Sequence, residues 1–117
     1  MASTEVARYL RVGDRRVALD PEGYLVQLDD WSLDVARALA EEEGLVLEAE
    51  HLEIIEVLRD FYQRFEMAPA MRPLVKAVGQ ALGPDKGRSI YLMRLFPTSP
   101  ARRAARLAGL PKPTGCI

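Results

Sequence analysis

Residues 49–65 read AEHLEIIEVLRDFYQRF, and this stretch decides the fold class. Leu52, Ile55, Leu58, Tyr62 and Phe65 recur at spacings of three and four, the stripe of an amphipathic helix with one face on a core. Downstream, Met67-Ala68-Pro69 breaks the pattern. A second helix then starts near Pro69, turns Met71, Leu74, Val75, Val78 and Leu82 inward, and stops at Gly83-Pro84. Pro73 falls in its first turn or so, where a missing amide proton costs least. Ser89 to Phe96 reads as a short helix bearing Ile90, Tyr91, Met93, Leu95 and Phe96, with Arg94 exposed and Pro97 as its stop. Ser99-Pro100 opens a last helix, Ala101 to Ala108, which Gly109 closes.

Upstream, Asp30 or Ser32 can cap a helix that carries Leu33, Val35, Ala36, Leu39 and Ala40 and ends at Gly44. Glu41-Glu42-Glu43 at its C-terminus oppose the macrodipole, so that end must fray or be neutralised by a neighbour. The first 28 residues instead alternate. Val6, Tyr9, Leu10 and Val12 precede Gly13-Asp14, Val17 and Leu19 precede Pro21-Glu22-Gly23, and Tyr24, Leu25 and Val26 follow, giving two or three short antiparallel strands. The expected fold is α+β and mostly α: a small N-terminal hairpin or sheet packed on an orthogonal, winged-helix-like bundle of about five helices. Residues 1–108 form one globular domain in this reading, and 109–117 a mobile C-terminal arm.

A chain of 117 residues with 49% hydrophobic and 28% charged residues suits one domain with a modest core. There is neither an apolar leader at Met1 nor a run of about 18 apolar residues, so a cytoplasmic protein without a membrane anchor is expected. The net charge of −1 hides a polarity. Residues 1–58 hold 5 Arg and no Lys against 14 acidic residues, a net of −9, whereas residues 59–117 hold 11 basic and 3 acidic residues, a net of +8. Either the halves attract each other in the fold, or one of them faces an oppositely charged partner.

The one cysteine, Cys116, lies on the arm Gly109-Leu110-Pro111-Lys112-Pro113-Thr114-Gly115-Cys116-Ile117. A lone thiol forms no internal disulfide, and its place after two prolines and a glycine marks it as presented, not packed. Pro111 and Pro113 make a stiff spacer, Gly109 a hinge and Gly115 a flexible joint beside the sulfur. Seven residues at roughly 3.1 Å each give a reach of about 20 Å. Arg102, Arg103, Arg106 and Lys112 favour the reactive thiolate if the arm folds back, while the Ile117 carboxylate opposes it.

Other chemistry is poorly supplied. His51 is the only histidine, and its helix position favours a structural or surface role over that of a base for Cys116. One cysteine and one histidine cannot bind zinc, no phosphate-cradling glycine loop occurs, and no cofactor is expected. Arg72, Lys76, Lys86, Arg88 and Arg94, with Tyr91 among them, suggest either a solvated helical face or attraction to nucleic-acid phosphates. Without any Asn and with only Gln27, Gln63 and Gln80, sequence-specific DNA recognition is weakly supported.

Residues 105–117, ARLAGLPKPTGCI, closely resemble the C-terminal arm of the DsrC/TusE family of sulfur carriers. Similar stretches are Asp20-Pro21-Glu22-Gly23-Tyr24-Leu25, Arg59-Asp60-Phe61-Tyr62, Ala68-Pro69-Ala70-Met71-Arg72, Leu74-Val75-Lys76-Ala77, Lys86-Gly87, Tyr91-Leu92 and Leu95-Phe96-Pro97. The DsrC branch carries a second arm cysteine where this chain has Ala105, so the resemblance is to the single-cysteine, TusE-like branch. It implies a sulfurtransferase acting as a carrier, with a persulfide on Cys116. A TusBCD-like complex would donate sulfur, and an MnmA-like tRNA thiolase, with or without tRNA bound, would receive it for 2-thiolation of wobble uridine. Arg103, Arg106, Lys112 and Gly115 are then expected to meet partners, and Gly109, Pro111 and Pro113 to set the arm's geometry. The alternatives are a carrier or accessory protein of sulfite reduction or sulfur oxidation and a winged-helix DNA-binding regulator. The family pattern puts tryptophan after the histidine, where this chain has Leu52.

Overall fold

The computed structural model describes residues 5–113, so Gly115 and Cys116 lie outside the described residues. Strands β1 (Arg8–Val12) and β2 (Arg15–Leu19) pair antiparallel across the two-residue turn Gly13-Asp14, with Leu10 opposite Val17. Leu10, Val17 and Leu19 face the core. The third segment contributes only a single bridge, Leu25 to Leu19, because the chain leaves the sheet for a 3-10 turn at Leu28–Asp30.

Five helices follow: α1 (Leu33–Glu42), α2 (Ala49–Phe65), α3 (Met71–Leu82), α4 (Ser89–Leu95) and α5 (Pro100–Leu107). The fold is α+β and mostly helical, as expected. Ser32, not Asp30, caps α1, its hydroxyl accepting from the Val35 amide at 3.2 Å. The shortest but one, α5, is the hub, since α1, α2, α3 and α4 all pack on it. Pro100 starts it, and Ala101, Ala104, Ala105 and Ala108 are buried, so neighbouring backbones come close without large side chains between them. Another close approach explains Lys86-Gly87: a Cβ on Gly87 would overlap the α3 backbone at Gly79.

Some stripe residues differ from expectation. Phe65 is 55% exposed and Ile90 72%, whereas Ile54, Ile55 and Leu58 on α2 and Leu92 on α4 are buried. Both outliers sit at helix ends or on a short helix, where the amphipathic pattern has few neighbours to define its inward face. Leu52, which follows His51, is half-buried against the core.

His51 is structural. It is buried, and its Nδ1 accepts from the Glu48 amide at 3.0 Å while the Glu48 side chain accepts from the His51 amide, a reciprocal cap on α2. With Nδ1 accepting, the proton sits on Nε2, which donates to the Leu95 carbonyl at 2.9 Å. The ring also stands edge-on to Phe96 at 5.2 Å. Neither nitrogen is left to act as a base, and one residue ties α2 to the end of α4.

The acidic end of α1 is neutralised by cations. Glu42 takes two bonds from Arg8, at 2.8 and 3.0 Å, and one from Arg106 at 2.8 Å. Glu43 takes Arg106 Nη1 at 2.6 Å, with Arg103 at 3.5 Å. The Arg8 hydrogen bonds, aided by Arg106, hold the Glu42 carboxyl down at about 2, against an ordinary value of 4.5. Ion pairs from Lys86 to Glu53, Arg103 to Glu43, Arg106 to Glu42 and Glu43, and Lys112 to Glu22 all join the basic half of the chain to the acidic half. Four of the eleven basic residues of the second half are thus paired with the acidic half within the molecule.

Two outcomes are expected. Because the Glu42 pKa is depressed on folding, its contribution is present above the unfolded value near 4.5 and is lost as pH falls towards about 2. Urea titrations from pH 6 to pH 2 should show wild type losing about 1–2 kcal/mol more than Glu42→Gln, a figure reduced for screening around the exposed Arg8. His51→Ala removes a cap, a buried hydrogen bond and a ring contact, and should lower unfolding stability by about 3 kcal/mol in the same assay.

Candidate functional site: the seat of the arm

The arm leaves from the C-terminus of α5, and local rules fix its first residues. Ala108 ends the helix and Gly109 follows at φ +74°. The Gly109 amide donates to the Arg106 carbonyl at 3.1 Å and the Leu110 amide to the Ala105 carbonyl at 2.9 Å, the paired bonds of a Schellman motif. Leu110, the apolar residue such a motif places after its glycine, is 2% exposed. Gly109 is therefore not the expected hinge. It is a helix cap, and a Cβ there would collide with the Trp31 ring.

Two side chains from distant segments complete the cap. Trp31 Nε1 donates to the Leu107 carbonyl at 2.8 Å, and Arg59 Nη1 donates to the Ala108 carbonyl at 2.7 Å. The Arg59 guanidinium also lies 3.9 Å from the centre of the Trp31 ring, so each holds the other in place. Burial pushes the Arg59 guanidinium below its ordinary value, and it forms no ion pair among the described residues. Free carbonyls at a helix end attract a cation, which this one supplies.

The turn after β2 forms a second wall. Asp20 Oδ1 accepts from the Glu22 and Tyr24 amides, both at 2.9 Å, which shapes the turn. Tyr24 then donates its hydroxyl to the Arg102 carbonyl at 3.2 Å, and burial pushes that phenol up to about 12. Arg106 Nε donates to the Gly23 carbonyl at 2.7 Å, and Lys112 Nζ to Glu22 at 2.7 Å. Pro111 and Pro113 are buried.

These contacts correct several expectations. The spacer does not run free from Gly109, because residues 109–113 are seated on the body by the cap, by Leu110 and by the Lys112–Glu22 pair. Arg106 spends all three guanidinium nitrogens on Gly23, Glu42 and Glu43, with 12% of its side chain exposed, so it braces the fold. Arg103 leans on Glu43, and Lys112 remains partly exposed on its outer side. Ala105, the position at which the resemblance implied a second thiol in the two-cysteine branch, is fully buried, and its carbonyl accepts from the Leu110 amide. Trp31, Arg59, Glu22 and Tyr24 were not singled out from the sequence as site residues. The stretches Arg59-Asp60-Phe61-Tyr62 and Asp20-Pro21-Glu22-Gly23-Tyr24-Leu25 were the available signal.

Other surfaces are separate. A groove of about 900 Å³ between α2 and α3 is lined by Phe61, Phe65, Lys76 and Ala77 among others, and among the described residues none from α5 or the arm lines it. Arg72, Lys76, Arg88 and Arg94 are exposed and form no ion pair among the described residues, but the Tyr91 hydroxyl is buried and Arg94 lies 5.6 Å from the centre of its ring. That ring is poorly placed to stack on a base.

Comparison with known proteins places the chain in a family. The family model described as DsrC like protein matches residues 11–117. The chain is 47% identical to the Sulfurtransferase TusE homolog of Haemophilus influenzae over 92% of its length and 99% of that protein. It is 48% identical to Sulfurtransferase TusE of Escherichia coli K12 over 88% of its length and 94% of the relative. The NMR structure of Allochromatium vinosum DsrC superposes with a TM-score of 0.84 at 47% identity, covering 98% of this chain and all of that one. The oxidized gamma-subunit of the dissimilatory sulfite reductase (DsrC) from Archaeoglobus fulgidus gives 0.81 at 39% identity, over 93% and 99%. Matched by that family model over residues 11–117 and by relatives at 47–48% identity, the chain belongs to the DsrC-like family, with TusE sulfurtransferases among its relatives.

Proposed function

We propose that this protein is a persulfide carrier of a tRNA-thiolation relay, taking sulfur on Cys116 from a TusBCD-like donor and yielding it to an MnmA-like thiolase. The observation that carries the reading is a lone thiol three residues beyond Pro113, at the end of an arm whose base is built into the fold. In the loading step the Cys116 thiolate attacks the outer sulfur of the donor's cysteine persulfide. The donor S–S bond breaks, its thiolate leaves, and Cys116 holds the persulfide with no net oxidation or reduction. In the unloading step the outer sulfur passes on and the Cys116 thiolate returns. The chain supplies a nucleophile and its placement. In this reading the work is cytoplasmic. Among the described residues no helix is long and apolar enough to cross a membrane.

Identity does not separate this role from a part in sulfite reduction, since DsrC of A. vinosum and the TusE relatives are about equally similar. Ala105 supports the relay reading. Without a second arm thiol, chemistry that closes a disulfide within the arm has no partner atom, which favours simple carriage.

Mixing the protein with a persulfidated donor should add one sulfur atom to the peptide holding Cys116, read by mass spectrometry, and none to Cys116→Ser. Cells carrying only Cys116→Ser should lack 2-thiouridine in their tRNA. Normal thiolation in those cells would remove the proposal, and loss of sulfite reduction or sulfur oxidation instead would point to the other pathway.

A further inference from the structure

The outer face of the hairpin carries a pairing that works against the fold. The register of β1 and β2 sets Arg11 directly opposite Arg16, on the side turned away from Leu10 and Val17, and both arginines are exposed. Like charges facing each other across two strands destabilise a ribbon. Neither arginine has an ion pair among the described residues, although residues 1–58 hold 14 acidic residues and the other side of the same ribbon pairs Arg8 with Glu42 and Arg15 with Asp30. Carboxylates are at hand, and this face takes none. Its remaining residues are Ala18 and Tyr9, which is 54% exposed and has the Arg16 guanidinium 5.0 Å from the centre of its ring. That contact holds the guanidinium along the ribbon.

We propose that Arg11 and Arg16 form a binding face for the phosphate backbone of RNA, the tRNA on which the acceptor thiolase works. This rests on the relay reading and gives the carrier a contact of its own with that tRNA. Guanidinium forks match phosphate oxygens, and a directly opposed pair starts from Cβ atoms about 5 Å apart, so two forks can serve one phosphate or two neighbours. An acidic protein surface would have to set two carboxylates side by side to match both, with a like-charge cost of its own, whereas neighbouring phosphates are held together covalently. The polyanion is the better fit. Once bound, it also relieves the repulsion that the two arginines exert on each other in the free protein. Contacts of this kind position a nucleic acid and read no sequence, in keeping with the scarcity of Asn and Gln.

The test titrates the full chain into a fluorescent, unmodified tRNA transcript at several salt concentrations and follows urea unfolding of the same proteins. Arg11→Glu should weaken tRNA binding at least tenfold and lower the slope of log affinity against log salt by about 0.9 or more. It should also raise the urea midpoint, because glutamate then faces Arg16 across the strands. Arg16→Gln should weaken binding about fivefold, whereas Arg72→Gln, the same loss of charge at an exposed unpaired cation of α3, should change it less than twofold. Equal losses in those two variants, or normal binding by Arg11→Glu, would overturn the assigned face. So would poly-glutamate or duplex DNA binding as tightly as the tRNA, and an Arg11→Glu protein less stable than wild type would overturn the opposed pair. Sulfur uptake from a persulfidated donor needs no RNA and should be unchanged in Arg11→Glu; its failure in the wild-type chain would defeat the carrier reading, a result separate from the tRNA titration.

Discussion

The structure depends on how tightly α5 can be enclosed. Eight residues contact four other helices, which is possible because the buried positions are alanines and one leucine after an opening proline. A larger side chain at Ala101, Ala104 or Ala105 would force the surrounding helices apart, since interiors packed at crystal density have no slack to absorb extra methylenes. The helix is too short to be stable alone. It exists because the rest of the molecule closes around it, and the arm therefore begins at the best-enclosed part of the protein.

Electrostatics reinforces that enclosure in one direction. The acidic end of α1 is an unfavourable place for three carboxylates, and Arg8, Arg103 and Arg106 convert it into a docking point for α5. Arg106 and Glu43 are both nearly buried, so their worth lies in fixing where α5 sits, and the loss of either partner would strand a charge. Part of the charge difference between the chain halves is then the trace of a contact, with the cations on α3 and α4 among those left at the surface.

Much of this was legible in the sequence. The span of α2 follows from its apolar spacing and from the Met67-Ala68-Pro69 break, and the hairpin from Gly13-Asp14 between alternating strands. The acidic run announced that it needed a neighbour. What could not be read was the arm's base, because glycine after a helix serves equally as a joint or as a left-handed cap. The choice is made by Trp31 and Arg59, which lie 76 and 49 residues from the carbonyls they hold. Local patterns carry no information about such contacts. The outward turn of Phe65 and Ile90 has the same origin, since periodicity says which residues share a face but not where neighbouring helices stop.

The Lys112–Glu22 pair, set beside the bonds from Tyr24 to Arg102 and from Arg106 to Gly23, has an evolutionary corollary. The tail is not a portable peptide. Grafted onto another scaffold it would transplant the nucleophile without its aim, so lineages should inherit the 20–24 turn and the last dozen residues as a co-varying set, exchanged together or not at all.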